Sequence, residues 1–168
     1  MQTMESIKFF SKVESKIILF IFLVLFLVSG YNMLISLRRG RDSIRKNDIS
    51  AIENSLDTYL QKYKIYPLST TDGKIIGCFE SGAIIDEISG NPINAITCEW
   101  GKSKFEGKNF MPQDPFYKKG HSYFYVSDGR KYKIYISLEG KSEAEYTPSI
   151  ASKNLQCGTK ICNYGRGN

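Results

Sequence analysis

The sequence is poor in the residues from which catalytic and metal centres are usually built. It holds one histidine, His121, and four cysteines, none of them two residues from another. Structural zinc sites need Cys and His ligands at short spacing. A thioredoxin-like redox pair needs two intervening residues, where Cys157 and Cys162 have four. The 14 glycines form no phosphate-cradling pattern after a strand. His121 falls in a strand pattern beside tyrosines, where a lone histidine more often packs than catalyses. No internal repeat is visible. These absences argue against an enzyme, and no catalytic residue, metal ligand or cofactor is expected.

Charge and proline are missing altogether from one stretch, Ile17 to Leu37. As a helix it would be roughly 32 Å long, the thickness of a bilayer's hydrocarbon core. Three readings fit it: a lasting single-pass anchor, a cleaved secretion signal, or a helix that anchors first and later forms a filament core. For the signal, Lys8, Lys12 and Lys16 make a basic region, and Val28-Ser29-Gly30 offers small residues before a cut. Against it, Met33, Leu34, Ile35 and Leu37 carry the apolar run past that point.

Beyond the run lie about 130 residues, enough for one small domain with a single core. The net charge of +6 is uneven: residues 1–41 carry +4 and the remainder only +2. The basic balance is therefore mainly a membrane-flank effect, and a nucleic-acid partner is not favoured, since that would need a concentrated basic face on the folded domain. All four cysteines follow the apolar run, which suggests two disulfides and an oxidising compartment. Three pairings are open. Cys78 with Cys98 and Cys157 with Cys162 close the shortest loops and are preferred, with unpaired buried thiols as the alternative. Orientation is in conflict: Arg38, Arg39, Arg41, Arg45 and Lys46 outnumber Lys8, Lys12 and Lys16, and the positive-inside tendency would keep the C-terminal domain in the cytoplasm. The cysteines favour the outside, and we side with them.

The helical pattern continues after Leu37. Ile44, Ile49, Ile52, Leu56, Tyr59, Leu60 and Tyr63 make one apolar stripe, and no glycine or proline interrupts Arg41 to Tyr66. One helix from about Ser15 to Tyr63 is expected, able to bend at Gly30 or Gly40, with Pro67 as its stop. Residues 68 to 113 read as irregular, with a short helix around Ala83 to Ile88. A hairpin follows: His121 to Ser127 and Lys131 to Leu138 flank the tight-turn pair Asp128-Gly129. Tyr132, Ile134, Ile136 and Leu138 share its buried face, with Lys131, Lys133, Tyr135 and Ser137 on a wet one. Residues 139–168 read as turn-rich. The chain is thus α+β: a flank at 1–16, a transmembrane helix at 17–37, an amphipathic helix at 38–67, and an extracytoplasmic head at 68–168 whose antiparallel hairpin, at 121–138, packs on the helix.

Phe10-Ser11-Lys12-Val13-Glu14 before the apolar run, Ile65-Tyr66-Pro67 after the stripe, and Met111-Pro112-Gln113-Asp114-Pro115 leading to Tyr123, Tyr125 and Asp128-Gly129 resemble the type IV pilins and the pseudopilins of type II secretion. The resemblance covers about Phe10 to Glu139. It implies a pilin-like fold in which Phe10 is the first mature residue and Glu14 the assembly glutamate, which pairs with a neighbouring subunit's terminal amine. It also implies prepilin peptidase as a processing partner, and homo- or hetero-oligomers with other pilin-like subunits in an extracytoplasmic filament for secretion, adhesion, motility or DNA uptake. Phe9 stands where the family has its cleavage glycine, and Lys12 takes a normally apolar place. If the leader is kept, Lys12 or Lys16 would have to replace the missing amine. Asp128, Glu139, Glu143 and Glu145 are too scattered to match the family's calcium loop. The alternative from another class is a membrane-anchored extracellular binding domain that never polymerises.

Overall fold

The computed structural model describes residues 12–105 and 109–168. Its first element is one helix, α1 (Lys12–Tyr63), which passes through Gly30 and Gly40 unbroken. The chain divides into two compact units between Arg38 and Arg39. The first contributes the apolar part of α1. The second holds the amphipathic part together with all the strands, and the core described below belongs to it.

Helix α1 stops at Tyr63, as expected, four residues ahead of Pro67. Lys64 takes the left-handed conformation, φ +63°, and its N–H still reaches the Leu60 carbonyl at 2.8 Å. A left-handed residue terminates a helix by turning the chain off its axis, so Pro67 is not needed as the stop. Its carbonyl instead accepts the Tyr125 hydroxyl at 2.8 Å.

The described residues of 68–113 hold more strand than their composition suggests. They form β1 (Leu68–Ser69), β2 (Ile75–Cys78), β3 (Ile96–Thr97), β4 (Lys104–Phe105) and β5 (Asn109–Phe110), joined antiparallel in the order β1-β2-β4-β5, with β3 also on β2. The Cys78–Cys98 disulfide links the end of β2 to the residue after β3. The short helix expected at Ala83 to Ile88 is absent. Instead Ile85 bridges to Pro92, and the Asp86 carboxylate caps the turn between them through the Ser89 N–H and hydroxyl. Asp and Ser compete for backbone groups in this way and favour turns over helix.

The expected hairpin is β6 (Phe124–Ser127) and β7 (Tyr132–Ile136), with Phe124 opposite Tyr135 and Ser127 opposite Tyr132. Its connection runs over 128–131, one residue longer than the expected strand bounds leave, and the Asp128 carboxylate accepts the N–H groups of Arg130 and Lys131 within it. His121 lies before β6 and bridges Gly158. The C-terminal segment adds α2 (Pro148–Ala151), a second hairpin of β8 (Gln156–Cys157) and β9 (Lys160–Ile161) closed by Cys157–Cys162, and β10 (Tyr164–Gly167), which pairs with β7.

Ile49, Ile52, Leu56, Tyr59 and Tyr63 of the stripe are buried against Ile75, Tyr123, Tyr125, Ile134, Ile136 and Leu138. Ile44 is not part of it and is about half exposed. The other face of β7 is not simply wet. Tyr135 is buried there with both C-terminal cysteines, packed by Phe124, Ile150 and Leu155. Its ring lies over Gly165 of β10, where a Cβ would come within 2.6 Å of the Tyr135 Cδ1.

A non-glycine residue held left-handed costs about 1 kcal/mol. Lys64→Gly should therefore raise the head's stability by about 0.5–1 kcal/mol in chemical denaturation of the full chain in detergent.

Candidate functional site

Two features of the chain stand out: an exposed apolar surface and a buried charge. One is the apolar part of α1. From Val13 to Leu37 no side chain is buried; Phe22 is 65% exposed and Phe26 76%. Isolated soluble proteins do not present continuous apolar surface on this scale, and the helix is long and apolar enough to cross a membrane. Glu14 lies two residues into the described part of α1. Phe10, its companion in the expected assembly site, lies outside the described residues.

The other feature is a charged cluster within the head, centred on Arg45. Stepping back four residues along the stripe from Ile49 reaches Arg45, and three more reach Asp42. The sequence pattern thus continues into polar residues that are equally buried: Arg45 is 0% exposed. Its guanidinium forks onto Asp114, with Nε donating to Oδ2 at 2.7 Å and Nη2 to Oδ1 at 3.2 Å. Nη1 donates to Asp42 Oδ1 and Glu139 Oε1, both at 2.8 Å. Arg41 binds Glu139 from the other side through Nε and Nη2 at 2.8 and 2.7 Å. The carboxylates are further satisfied by backbone: Asp42 accepts the N–H groups of Glu139 and Gly140, and Asp114 that of Phe116. The Phe116 ring lies under both guanidinium carbons, at 4.6 Å from that of Arg41 and 5.7 Å from that of Arg45.

Electrostatics follow from this packing. Burial opposes the Arg45 charge, but its carboxylate bonds outweigh that and raise its pKa. Burial likewise opposes the Glu139 charge, and the hydrogen bonds from Arg41 and Arg45 overcome it, lowering its pKa to about 2. Asp48 goes the other way: burial raises its pKa, against a hydrogen bond from the Tyr123 hydroxyl. Every carboxylate of the cluster is bonded to a guanidinium. Its chemistry is fastening. Around it, Arg39 pairs with Glu143 at 3.2 Å and Lys46 with Glu145 at 2.8 Å, exposed contacts worth little each.

The structure joins Cys78 to Cys98 and Cys157 to Cys162. Sequence reasoning missed the Arg45 cluster because Arg41 and Arg45 were counted with the membrane flank; the missed signal was the heptad step from Ile52 to Arg45, which puts a charge on the buried stripe. Among the described residues no group of His, Cys, Asp and Glu is arranged to hold a metal ion. No protein-family model, curated protein or solved structure matches this chain.

Removing Arg45 would strand buried carboxylates. Arg45→Met should cost about 3–5 kcal/mol of head stability, whereas Arg39→Ala should stay within about 0.5 kcal/mol, both read by chemical denaturation. The acid limb has a definite sign. Glu139 is depressed in the folded head, so its contribution is complete above its unfolded pKa of 4.5 and drains away as pH falls from there toward 2. Stability should drop by about 2–3 kcal/mol over that window on this account, and Glu139→Gln should flatten the drop.

Proposed function

We propose that the chain is a pilin-like subunit, held in a membrane by the apolar part of α1 and assembled through it into an extracytoplasmic filament. The observation that carries this reading is the helix itself. Its N-terminal part has apolar residues all round and none buried, and its C-terminal part carries the one-sided stripe of a disulfide-stapled antiparallel head. A surface hidden in lipid can be re-buried against copies of the same helix, so extraction from the membrane need never expose it to water. Glu14, at the head of that surface, is costly in such a bundle unless paired, which makes it the natural register mark between neighbours.

The orientation conflict eases on this reading. Of the five cations that argued for a cytoplasmic head, Arg45 is buried, and Arg39, Arg41 and Lys46 are bonded to Glu143, Glu139 and Glu145 of the head. They serve the head more than the headgroups, and the two disulfides then speak for an oxidising compartment.

Intact mass and the N-terminal residue of the native chain, compared between membranes and sheared surface material, test the proposal. A subunit should appear in the sheared fraction, and Glu14→Lys should remove it from that fraction while the head's denaturation midpoint stays unchanged. A chain confined to membranes and indifferent to Glu14→Lys would be a non-polymerising anchored domain. A start at Tyr31 would make it a secreted one.

A further inference from the structure

One cleft of the head has no residue of the apolar part of α1 in its lining. It measures about 660 Å³ and opens between the turn at 116–121, the segment leaving β7 at 137–141, and the β8–β9 hairpin. That volume suits a small organic molecule. The hairpin wall is firmly placed: Thr159 N–H reaches the Gly120 carbonyl at 2.8 Å, the Thr159 hydroxyl reaches that of Lys119 at 3.0 Å, and the Cys157–Cys162 bond closes its base.

The charge around the cleft is one-sided. Lys119, Lys141 and Lys160 line it against a single carboxylate, Glu139, which Arg41 and Arg45 already neutralise. His121 lines it too, with a side chain only 8% exposed. Its Nδ1 is sealed from solvent without a hydrogen-bond partner, 3.8 Å from Asp114 Oδ1 and beyond bonding distance. Asp114 is already bound through both oxygens by Arg45 and the Phe116 N–H. A nine-tenths buried imidazole thus lines a cationic cleft, its Nδ1 turned away from the cleft toward Asp114. Phe116, Tyr146 and Ile161 add apolar surface for the body of a ligand.

We infer that the head binds a small organic anion in this cleft, its carboxylate or phosphate group set among Lys119, Lys141, Lys160 and His121. The inference stands whether or not the chain polymerises. Burial holds His121 below its ordinary pKa, with Asp114 and Glu139 pulling it up and Arg45 and Lys160 pushing it down. A bound anion adds to the upward pull, so binding should take up a proton.

His121 is the only histidine, so its ring protons report the site without assignment. The full chain in zwitterionic detergent would be titrated with glucuronate, glucose 6-phosphate and neutral glucose while the His121 resonance is followed by NMR. Saturable shifts with an anion and none with glucose are expected, with a raised His121 pKa in the complex; the tighter anion identifies the head group. Lys141→Gln and Lys160→Gln, both at exposed positions, should each weaken binding about fivefold. No saturation by about 10 mM, tenfold above a millimolar Kd, would overturn the inference. So would shifts matched by sodium chloride at equal ionic strength, or unchanged affinity in both lysine variants.

Discussion

A guanidinium that water cannot reach must be matched by carboxylates with little freedom in their placing, and Arg45 makes that demand on three stretches of chain at once. Asp42 sits one turn earlier on α1, Asp114 in the Pro-Gln-Asp-Pro turn, and Glu139 where the chain leaves β7. Apolar packing of Ile49, Ile52 and Leu56 against Ile134 and Ile136 supplies more of the stability. It tolerates sliding, however, in a way that a forked Arg–Asp pair does not. Replacing a whole buried ion cluster by apolar residues is often neutral or favourable, so its retention points to registry between helix, turn and strand rather than to raw strength.

The same helix has two surfaces. Around Asp42 to Tyr63 it needs one apolar face and finds a sheet to cover it; from Ile17 to Leu37 apolar side chains surround it and no side chain is buried. Gly30 and Gly40, where a Cβ would meet nothing within 4 Å, do not break it. Helix propensity alone would make each glycine cost about 1 kcal/mol relative to alanine. A bilayer's low dielectric, which penalises any unpaired backbone group, would offset that cost for Gly30.

Long, strictly periodic elements were legible in the sequence. The stripe on α1 repeats over several turns, and the alternation of Tyr132 to Leu138 is unmistakable. Two-residue strands were not, because β1, β3, β4 and β5 are too short to carry a period. The strand β10 was hidden by its own glycines: Gly165 and Gly167 read as turn residues, yet Gly165 is the space into which Tyr135 lies. The expected helix at Ala83 to Ile88 failed for a related reason, since Asp86 and Ser89 bond the local backbone better in a turn than in a helix. Arg45 was legible in position but not in meaning. Counted by sign it joins a basic flank, and counted by period it belongs to the core.

That misplacement matters beyond Arg45, because net charge and surface charge are different quantities in a small head. Asp42, Asp114 and Glu139 contribute three negative charges to the count but turn them inward onto Arg41 and Arg45. The head's near-neutral balance is therefore an average over an inward-turned cluster with one more carboxylate than guanidinium and a more basic exterior. Field lines from exposed lysines are focused where low-dielectric walls surround them, and the walls beside Lys119, Lys141 and Lys160 are those of the cleft. The cluster that fastens the helix also consumes the one carboxylate, Glu139, that could have neutralised those lysines. The demand of one buried arginine for its counter-ions thus bears on both fold registry and the charge of the cleft.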